Sequence, residues 1–356
     1  MEFEFSFAKQ KSIFLITIKL ISFFTLLLFP LDSIFALKSI DITNSPYGLK
    51  YNPMNEKMYY LDYFPYKIII LNNSSNVNEA QEGEQIPLPE RPLDITYNPN
   101  DNKMYISLDR SHVSLYVLNG TNNVIDKIGG IPYPSTIAYN PSNNFLYISS
   151  ETFSLYTLNT TSKEISKVTN LTKPVFGITY NPINENLYLT TGAKVNPDTR
   201  NLILDQGDNP ILVVNSTSNN VIDTISINAS SYLSAFNPIN KLLYVTSSKG
   251  IFTINSTDNK IVENITNKEL NNTQIFGIAY NPANRHMFVT FSENGEGFFA
   301  IDSHNNKISK KFFTSDDPLN IAYNPANRHM YVNGIHGNVI PLINESNVIT
   351  GMIKCC

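Results

Sequence analysis

Short runs in which large and small side chains alternate recur along most of the chain, and each is stopped by an Asn-Pro pair. The asparagines are Asn52, Asn98, Asn140, Asn181, Asn237, Asn281 and Asn324. Three residues before them stand Leu49, Ile95, Ile137, Ile178, Ser234, Ile278 and Ile321, and one residue before is always Tyr or Phe. The positions two and four before are mostly small. Period-two alternation predicts a strand, and its small side suits an inner strand on which several sheets converge. Proline, lacking an N–H, ends the ladder. Three residues after each aligned Asn lies another Asn or Asp, which tolerates turn geometry and bonds its own backbone. A second strand follows with one grammar: Met or Leu at position six, Tyr or Phe at seven, and a β-branched residue at eight except Tyr60 and Leu189. Third strands are legible at 67–71, 114–118, 211–214 and 250–254, and fourth strands at 123–128, 221–225 and 260–265.

The asparagines are spaced by 46, 42, 41, 56, 44 and 43 residues, which marks a repeat architecture. Four strands per repeat, short turns and no helical period predict an all-β fold: a seven-bladed β-propeller of four-stranded antiparallel blades over residues 37–356. One outer strand is in excess, since 37–42 also reads as a strand ahead of the first repeat. It is expected to pair with blade seven and latch the ring, covering an edge that would otherwise invite aggregation.

The phrases Phe276-Gly277-Ile278-Ala279-Tyr280-Asn281-Pro282, Leu243-Tyr244-Val245-Thr246 and Val213-Val214-Asn215-Ser216-Thr217-Ser218-Asn219-Asn220-Val221-Ile222 carry a resemblance. In them the chain resembles the YVTN-type β-propeller repeat proteins of archaea and bacteria, near relatives of NHL-type propellers. The resemblance covers essentially all of 37–356 and implies the propeller fold. It also implies export or surface association. It does not extend to an activity, because such propellers serve many functions. The chain departs from the family phrase after the third strand, where six of seven repeats carry Asn in place of Asp.

The N-terminus differs from the repeats. Lys9, Lys11 and Lys19 precede an apolar run from Leu20 to Leu31, and Ile34-Phe35-Ala36 follows. This is the pattern of a secretory signal over residues 1–36, with cleavage after Ala36, or of an uncleaved anchor from Ile13 to Leu31. Either form places the protein outside the cell or at its surface, with membrane contact only through an uncleaved anchor. The net charge of −4, with both signs scattered, excludes a nucleic-acid partner, which would need a basic stripe. The two cysteines, Cys355 and Cys356, are adjacent and cannot form a disulfide framework.

Eleven Asn-x-Ser/Thr sequences begin at Asn72, Asn73, Asn119, Asn159, Asn170, Asn215, Asn228, Asn255, Asn264, Asn271 and Asn344. In an exported chain they are candidate glycosylation acceptors. Asn72 or Asn73, Asn119, Asn159, Asn215, Asn255 and Asn344 recur at the turn between third and fourth strands. That turn shares a face with the Asn-Pro turns; the second face carries the turns after second strands and the links between blades. The extra length of repeat four, 192–210, falls on the second face.

No Gly-x-Ser-x-Gly elbow, His-Glu-x-x-His, phosphate loop or dinucleotide fingerprint occurs. His286 and His329 hold equivalent repeat positions, so repetition explains them. The second-face acids Asp62, Asp109, Glu151, Glu293, Glu296, Asp316 and Asp317 read as polar loop tips; the alternative is a Ca²⁺ site of carboxylates meeting at the axis. Lys50 and Asp94 are the two charges in the inner-strand columns, read as a salt bridge lining the channel or as a channel ligand site. A sector free of sequons offers Asp62, Tyr63, Phe64, Tyr66, Asp109, Arg110, His112, Tyr133, Asp316 and Asp317, and Tyr and Arg dominate binding hot spots. With Asp94 these form the candidate binding face for a protein or glycan partner at the cell surface. The reading is an exported, non-enzymatic binding propeller with no cofactor. The alternatives are a metal-dependent hydrolase or lyase of lactonase type and a surface-layer scaffold component.

Overall fold

Each Asn-Pro asparagine closes a strand and builds the turn that follows. Its Oδ1 accepts the N–H two residues on, at Met54, Asn100, Ser142, Ile183, Ile239, Ala283 and Ala326. Two residues further the backbone is left-handed at Glu56, Asn102, Asn144, Glu185, Lys241, Arg285 and Arg328, with φ between 56° and 62°. The chain then reverses into the second strand, as where Tyr51 pairs with Met58 and Tyr280 with Met287.

The computed structural model describes residues 39–355 apart from 43–45, 64, 72–81, 110–111, 192, 196–201, 205–208, 267–273, 293–296, 315–317 and 335–338. The export segment expected at 1–36 therefore lies outside the described residues. From Ser39 onward the chain forms seven antiparallel four-stranded sheets. Their first strands are Pro46–Asn52, Pro92–Asn98, Pro134–Asn140, Val175–Tyr180, Ser231–Asn237, Gln274–Asn281 and Pro318–Asn324. Each touches the first strand of the next blade, and the seventh touches the first, so the ring closes. The seven-bladed all-β propeller expected from the repeats is the fold found.

The latch is also present. Ser39–Ile42 pairs in parallel with Ile349–Cys355, Ser39 opposite Met352 and Ile42 opposite Cys355, and gives blade seven a fifth strand. In blade four the extra length contains a small hairpin, Ala193–Val195 with Leu202–Leu204.

Two polar locks join consecutive blades, and each uses a column of the repeat. The first uses the Asn at position three and the Tyr at position seven. In blade three Asn143 Nδ2 donates to Tyr147 Oη (2.9 Å) and to the Ser216 carbonyl (2.9 Å) of the next blade's third-to-fourth turn. Tyr147 Oη donates to Asn219 Oδ1 in the same turn (2.6 Å). Tyr59 meets Asn122, Tyr188 meets Asn259 and Tyr244 meets Asn306 in the same way. These turn asparagines are left-handed, with φ of 57° to 66°. Asn tolerates that conformation better than other side chains with a Cβ and presents an acceptor, so one residue type serves both needs.

The second lock uses the hydroxyl at position nine. Every first strand carries a bulge near its start, as between Pro92 and Asp94 or Ile275 and Ile278. In blades two, three, five and six the hydroxyls of Ser107, Ser149, Thr246 and Thr290 accept a bulge N–H, from Asp94, Thr136, Leu233 and Gly277. Ser107, Thr190, Thr246 and Thr290 donate to carbonyls of the following blade at Ser135, Tyr232, Phe276 and Leu319. The blades approach so closely here that a Cβ at Gly277 would lie 2.4 Å from the Leu319 carbonyl oxygen. This is one reason that the column stays small.

The apolar core lies between blades. Tyr188, Ile211 and Val213 of blade four pack with Leu243, Val245 and Ile254 of blade five. Tyr59, Tyr105, Tyr147, Tyr188, Tyr244, Phe288 and Tyr331, the seven aromatics of position seven, are all at most 2% exposed. Burying each ring contributes on the order of 2 kcal/mol; the lock satisfies the hydroxyls of Tyr59, Tyr147, Tyr188 and Tyr244, while Tyr105 donates to Asp101 and Tyr331 accepts from Asn327 within their own turns.

Candidate functional site

Where the seven first strands converge they enclose a cavity of ≈ 690 Å³ lined by residues of all seven blades. The volume falls within the roughly 300–1,000 Å³ of small-molecule sites. The lining follows the repeat columns. Tyr51, Tyr139, Tyr180, Phe236, Tyr280 and Tyr323, each directly before an aligned Asn, form an aromatic rim, and Pro325 of an Asn-Pro turn reaches the same space. The cavity thus extends to the first face. Burial pushes the phenols of Tyr51, Tyr139, Tyr280 and Tyr323 upward, so they stay neutral and keep a proton to donate.

Toward the second face the lining stops at Asp94, Gly177 and Leu233. The next layer, five residues before the aligned Asn, forms an apolar plug from blades four to seven, while blade three has Ser135 there. Phe176 packs edge-on to Tyr232 with centroids 6.3 Å apart, and Tyr232 lies 5.6 Å from Phe276. Tyr232, Phe276 and Leu319 are buried and belong to one cluster, with Phe176 packed against it. Burial pushes the Tyr232 phenol up to about 12.

Between rim and plug the wall is polar: Lys50, Asp94, Thr96, Thr136, Thr179 and Ser234. Thr179 Oγ1 donates to the Ser234 carbonyl, and Ser234 Oγ donates back to Thr179 Oγ1, both at 2.8 Å. Asp94 reaches across to blade three. Its Oδ2 accepts from Thr136 Oγ1 (2.7 Å) and the Ile137 N–H (3.0 Å), and its Oδ1 from the Ile95 N–H (2.8 Å). Burial pushes this carboxyl above its ordinary range, against the opposing pull of those donors and of the Lys50 charge. Lys50 is exposed in the cavity and makes no hydrogen bond or ion pair among the described residues. The salt bridge read between Lys50 and Asp94 is thus replaced by the Asp94–Thr136 bond. Threonine outcompetes the lysine because its hydroxyl and the Ile137 N–H are fixed on the adjoining strand, whereas the lysine ammonium keeps its hydration.

The residues expected on the second face separate. Asp62 is buried and pairs with Lys67 across its hairpin at 3.8 Å, and Lys67 also donates to Gln85. Asp109 is buried against the Arg91 guanidinium. Both carboxylates thus hold blade ends together. Tyr66 and Tyr133 are exposed, at 37% and 49%, and His112 is exposed. Tyr63 ends its strand opposite Tyr66. Phe64, Arg110, Asp316 and Asp317 lie outside the described residues. Among the described residues no group of three His, Cys, Asp or Glu side chains could hold a metal ion. His286 and His329 bond the carbonyls of Asn284 and Asn327 in their own turns, and His329 also meets Thr350.

Of the sequons, Asn119, Asn159, Asn215, Asn255 and Asn344 start the third-to-fourth turn, their Oδ1 accepting turn N–H groups. At Asn119, Asn159, Asn255 and Asn344 the Nδ2 makes no hydrogen bond among the described residues. Asn170, Asn228 and Asn264 are exposed, and Asn72, Asn73 and Asn271 lie outside the described residues.

Sequence reasoning named Lys50 and Asp94 in the channel but passed over the hydroxyls of its wall and the hydroxyl lock. The lock had a visible trace: position nine reads Leu61, Ser107, Ser149, Thr190, Thr246, Thr290 and Asn333, polar in six of seven repeats inside an apolar strand. The chain matches no protein-family model and no curated protein.

Proposed function

We propose that this propeller is an exported, non-enzymatic binding protein whose ligand enters the axial cavity from the face of the Asn-Pro turns. The observation that carries this reading is the cavity itself: plugged by Tyr232 and Phe276 at one end, walled by Lys50, Asp94 and hydroxyls, and rimmed by aromatic residues. A few polar groups in an aromatic-lined hollow are what a small-molecule site requires. The test is a thermal-shift screen of a metabolite library on the parent and on Ala138→Gln. Ala138 lines the cavity in the same column as Lys50, which shows that the column takes a long side chain. Ligands at 100 times their Kd raise stability by about 2.7 kcal/mol. They should lose that effect on Ala138→Gln; hits that persist there place binding elsewhere.

Export rests on the segment 1–36. N-terminal sequencing of the secreted or surface-bound protein should begin at Leu37 if the signal is cleaved after Ala36. Glycans, where the host attaches them, should occupy the third-to-fourth turns, because there the acceptor nitrogens of Asn119, Asn159, Asn255 and Asn344 make no hydrogen bond among the described residues. Peptide mass spectrometry finding all four bare in a glycosylating host would refute that. Exposed Tyr66 and Tyr133 support a protein-docking surface on the opposite face, which Tyr66→Ala with Tyr133→Ala would weaken.

A further inference from the structure

The rim of the cavity is not symmetric in charge. Four residues after each aligned Asn the chain carries Glu56, Asn102, Asn144 and Glu185 in blades one to four, but Lys241, Arg285 and Arg328 in blades five to seven. The left-handed backbone of this position is easiest for Asn or Gly, so turn geometry does not account for three consecutive cations. All three are exposed. Arg285 and Arg328 lie close enough to act electrostatically on the rim residues Tyr280 and Tyr323. Arg328 also pairs with Glu345 at 2.6 Å, whereas Arg285 and Lys241 have no side-chain partner among the described residues. Blade one follows blade seven around the ring, and its Lys50 stands in the wall, its charge felt by Asp94 but in no hydrogen bond or ion pair among the described residues. Blades five, six and seven therefore present an arc of cations at one side of the mouth, offset at Arg328 by Glu345 and ended by Glu56 in the turn of blade one, whose Lys50 adds a cation in the cavity wall. The opposite side offers Thr96, Thr136 and Thr179 and the Asp94 carboxylate, whose oxygens are already held by blade three.

We infer that the axial cavity takes an anionic sugar: a pyranose bearing one acidic group, either a uronate carboxylate or a sugar phosphate. This rests on the binding reading above and specifies its ligand. The acidic group is drawn to Lys50 and the cations beyond it, which attract it more strongly in a hollow than in open water. The sugar hydroxyls meet threonine and serine hydroxyls, which both donate and accept. The apolar face of the ring lies on the tyrosine rings. A neutral sugar leaves the arc unused, and a bare anion leaves the aromatic rim and the hydroxyl wall unused.

The experiment is calorimetric titration of the full-length protein with glucuronate, glucose 6-phosphate, glucose and inorganic phosphate. It is repeated on Lys50→Met, on Lys241→Gln with Arg285→Gln, and on Ala138→Gln. Glucuronate or glucose 6-phosphate should bind at least tenfold more tightly than glucose and than phosphate, and the better of the two identifies the acidic group. Lys50→Met should weaken that ligand about tenfold with an unchanged melting temperature, and the rim pair should weaken it further as salt is lowered in the parent's favour. Glucose binding as well as its charged analogues, phosphate binding as well as the sugars, or full affinity in Lys50→Met would each overturn the inference. If neither anionic sugar binds while a library ligand is lost on Ala138→Gln, this inference fails and the binding reading stands. Anionic sugars that bind Ala138→Gln at full affinity overturn both.

Discussion

Removing one oxygen, Tyr147→Phe, tests whether the repeat phrase is an inter-blade lock. The Tyr147 hydroxyl donates to Asn219 Oδ1 at 2.6 Å and accepts from Asn143 Nδ2 at 2.9 Å, and the residue is fully buried. The ring and its packing remain in the variant. Asn143 keeps its bond to the Ser216 carbonyl, so Asn219 loses the most. A net hydrogen bond contributes about 1 kcal/mol, and an acceptor left without a donor raises the loss to about 1.5–2 kcal/mol. Unfolding entropy near 60 °C is about 2.1 cal/mol/K per residue, so about 320 residues from Ser39 onward, melting as one unit, lose roughly 2–3 °C. Calorimetry resolves that shift. A double-mutant cycle assigns it: Asn219→Gly keeps the left-handed backbone (φ 59°) and removes only the acceptor. The two changes should couple by about 1 kcal/mol. The chain contains its own reference, because blade six carries Phe288 at this position beside Asn284 and Asn347, which bond directly at 2.7 Å. Phe288→Tyr should be neutral or mildly stabilising. A Tyr147→Phe protein that melts with the parent, or zero coupling to Asn219, would refute the lock.

Three further outcomes are expected. A chain lacking residues 39–42 loses the parallel pairing to Ile349–Cys355 and should be less stable by about 2–4 kcal/mol in urea, at roughly 1 kcal/mol per hydrogen bond; an unchanged midpoint would remove the latch. Asp109→Ala removes the carboxylate packed against the buried Arg91 and should cost about 3–5 kcal/mol, while Arg91→Leu with Asp109→Leu should cost much less; equal losses would show that burial is not the cause. Asp94 has a carboxyl raised by burial, so the folded state holds its proton more tightly than the unfolded state does. Its contribution is therefore full below the unfolded pKa of about 4 and is lost as pH rises through the folded value. Asp94→Asn should gain on the parent in denaturant midpoint as pH rises from 4 toward 7, and a difference independent of pH would contradict the burial.

The strands and their order were legible because strand, turn and repeat are local matters. Alternation in size, Pro without an N–H and Asn in turns act within a few residues, and seven copies average out the noise at any one of them. Ile211–Asn215 and Val221–Ile225 lie where the pattern put them, and the surplus strand at 37–42 implied its own pairing. The purpose of individual residues was less visible. Asp62 and Asp109 read as loop-tip acids, yet Lys67 and Arg91 bury them. Lys50 and Asp94 read as a pair, yet Thr136 takes the carboxylate.

By itself the sequence determined the blade, its number and the closure of the ring, since each follows from spacing along one chain. Only the tertiary structure decided that the tyrosines lock neighbouring blades, that position nine fills a bulge and bonds across to the next blade, and that the channel is plugged at Tyr232 and Phe276. Those relations join residues 28 to 72 positions apart whose distance is set by how seven sheets pack around an axis. The cationic arc is the same case: Lys241, Arg285, Arg328 and Lys50 are scattered in sequence and become one feature because the ring brings blade seven beside blade one.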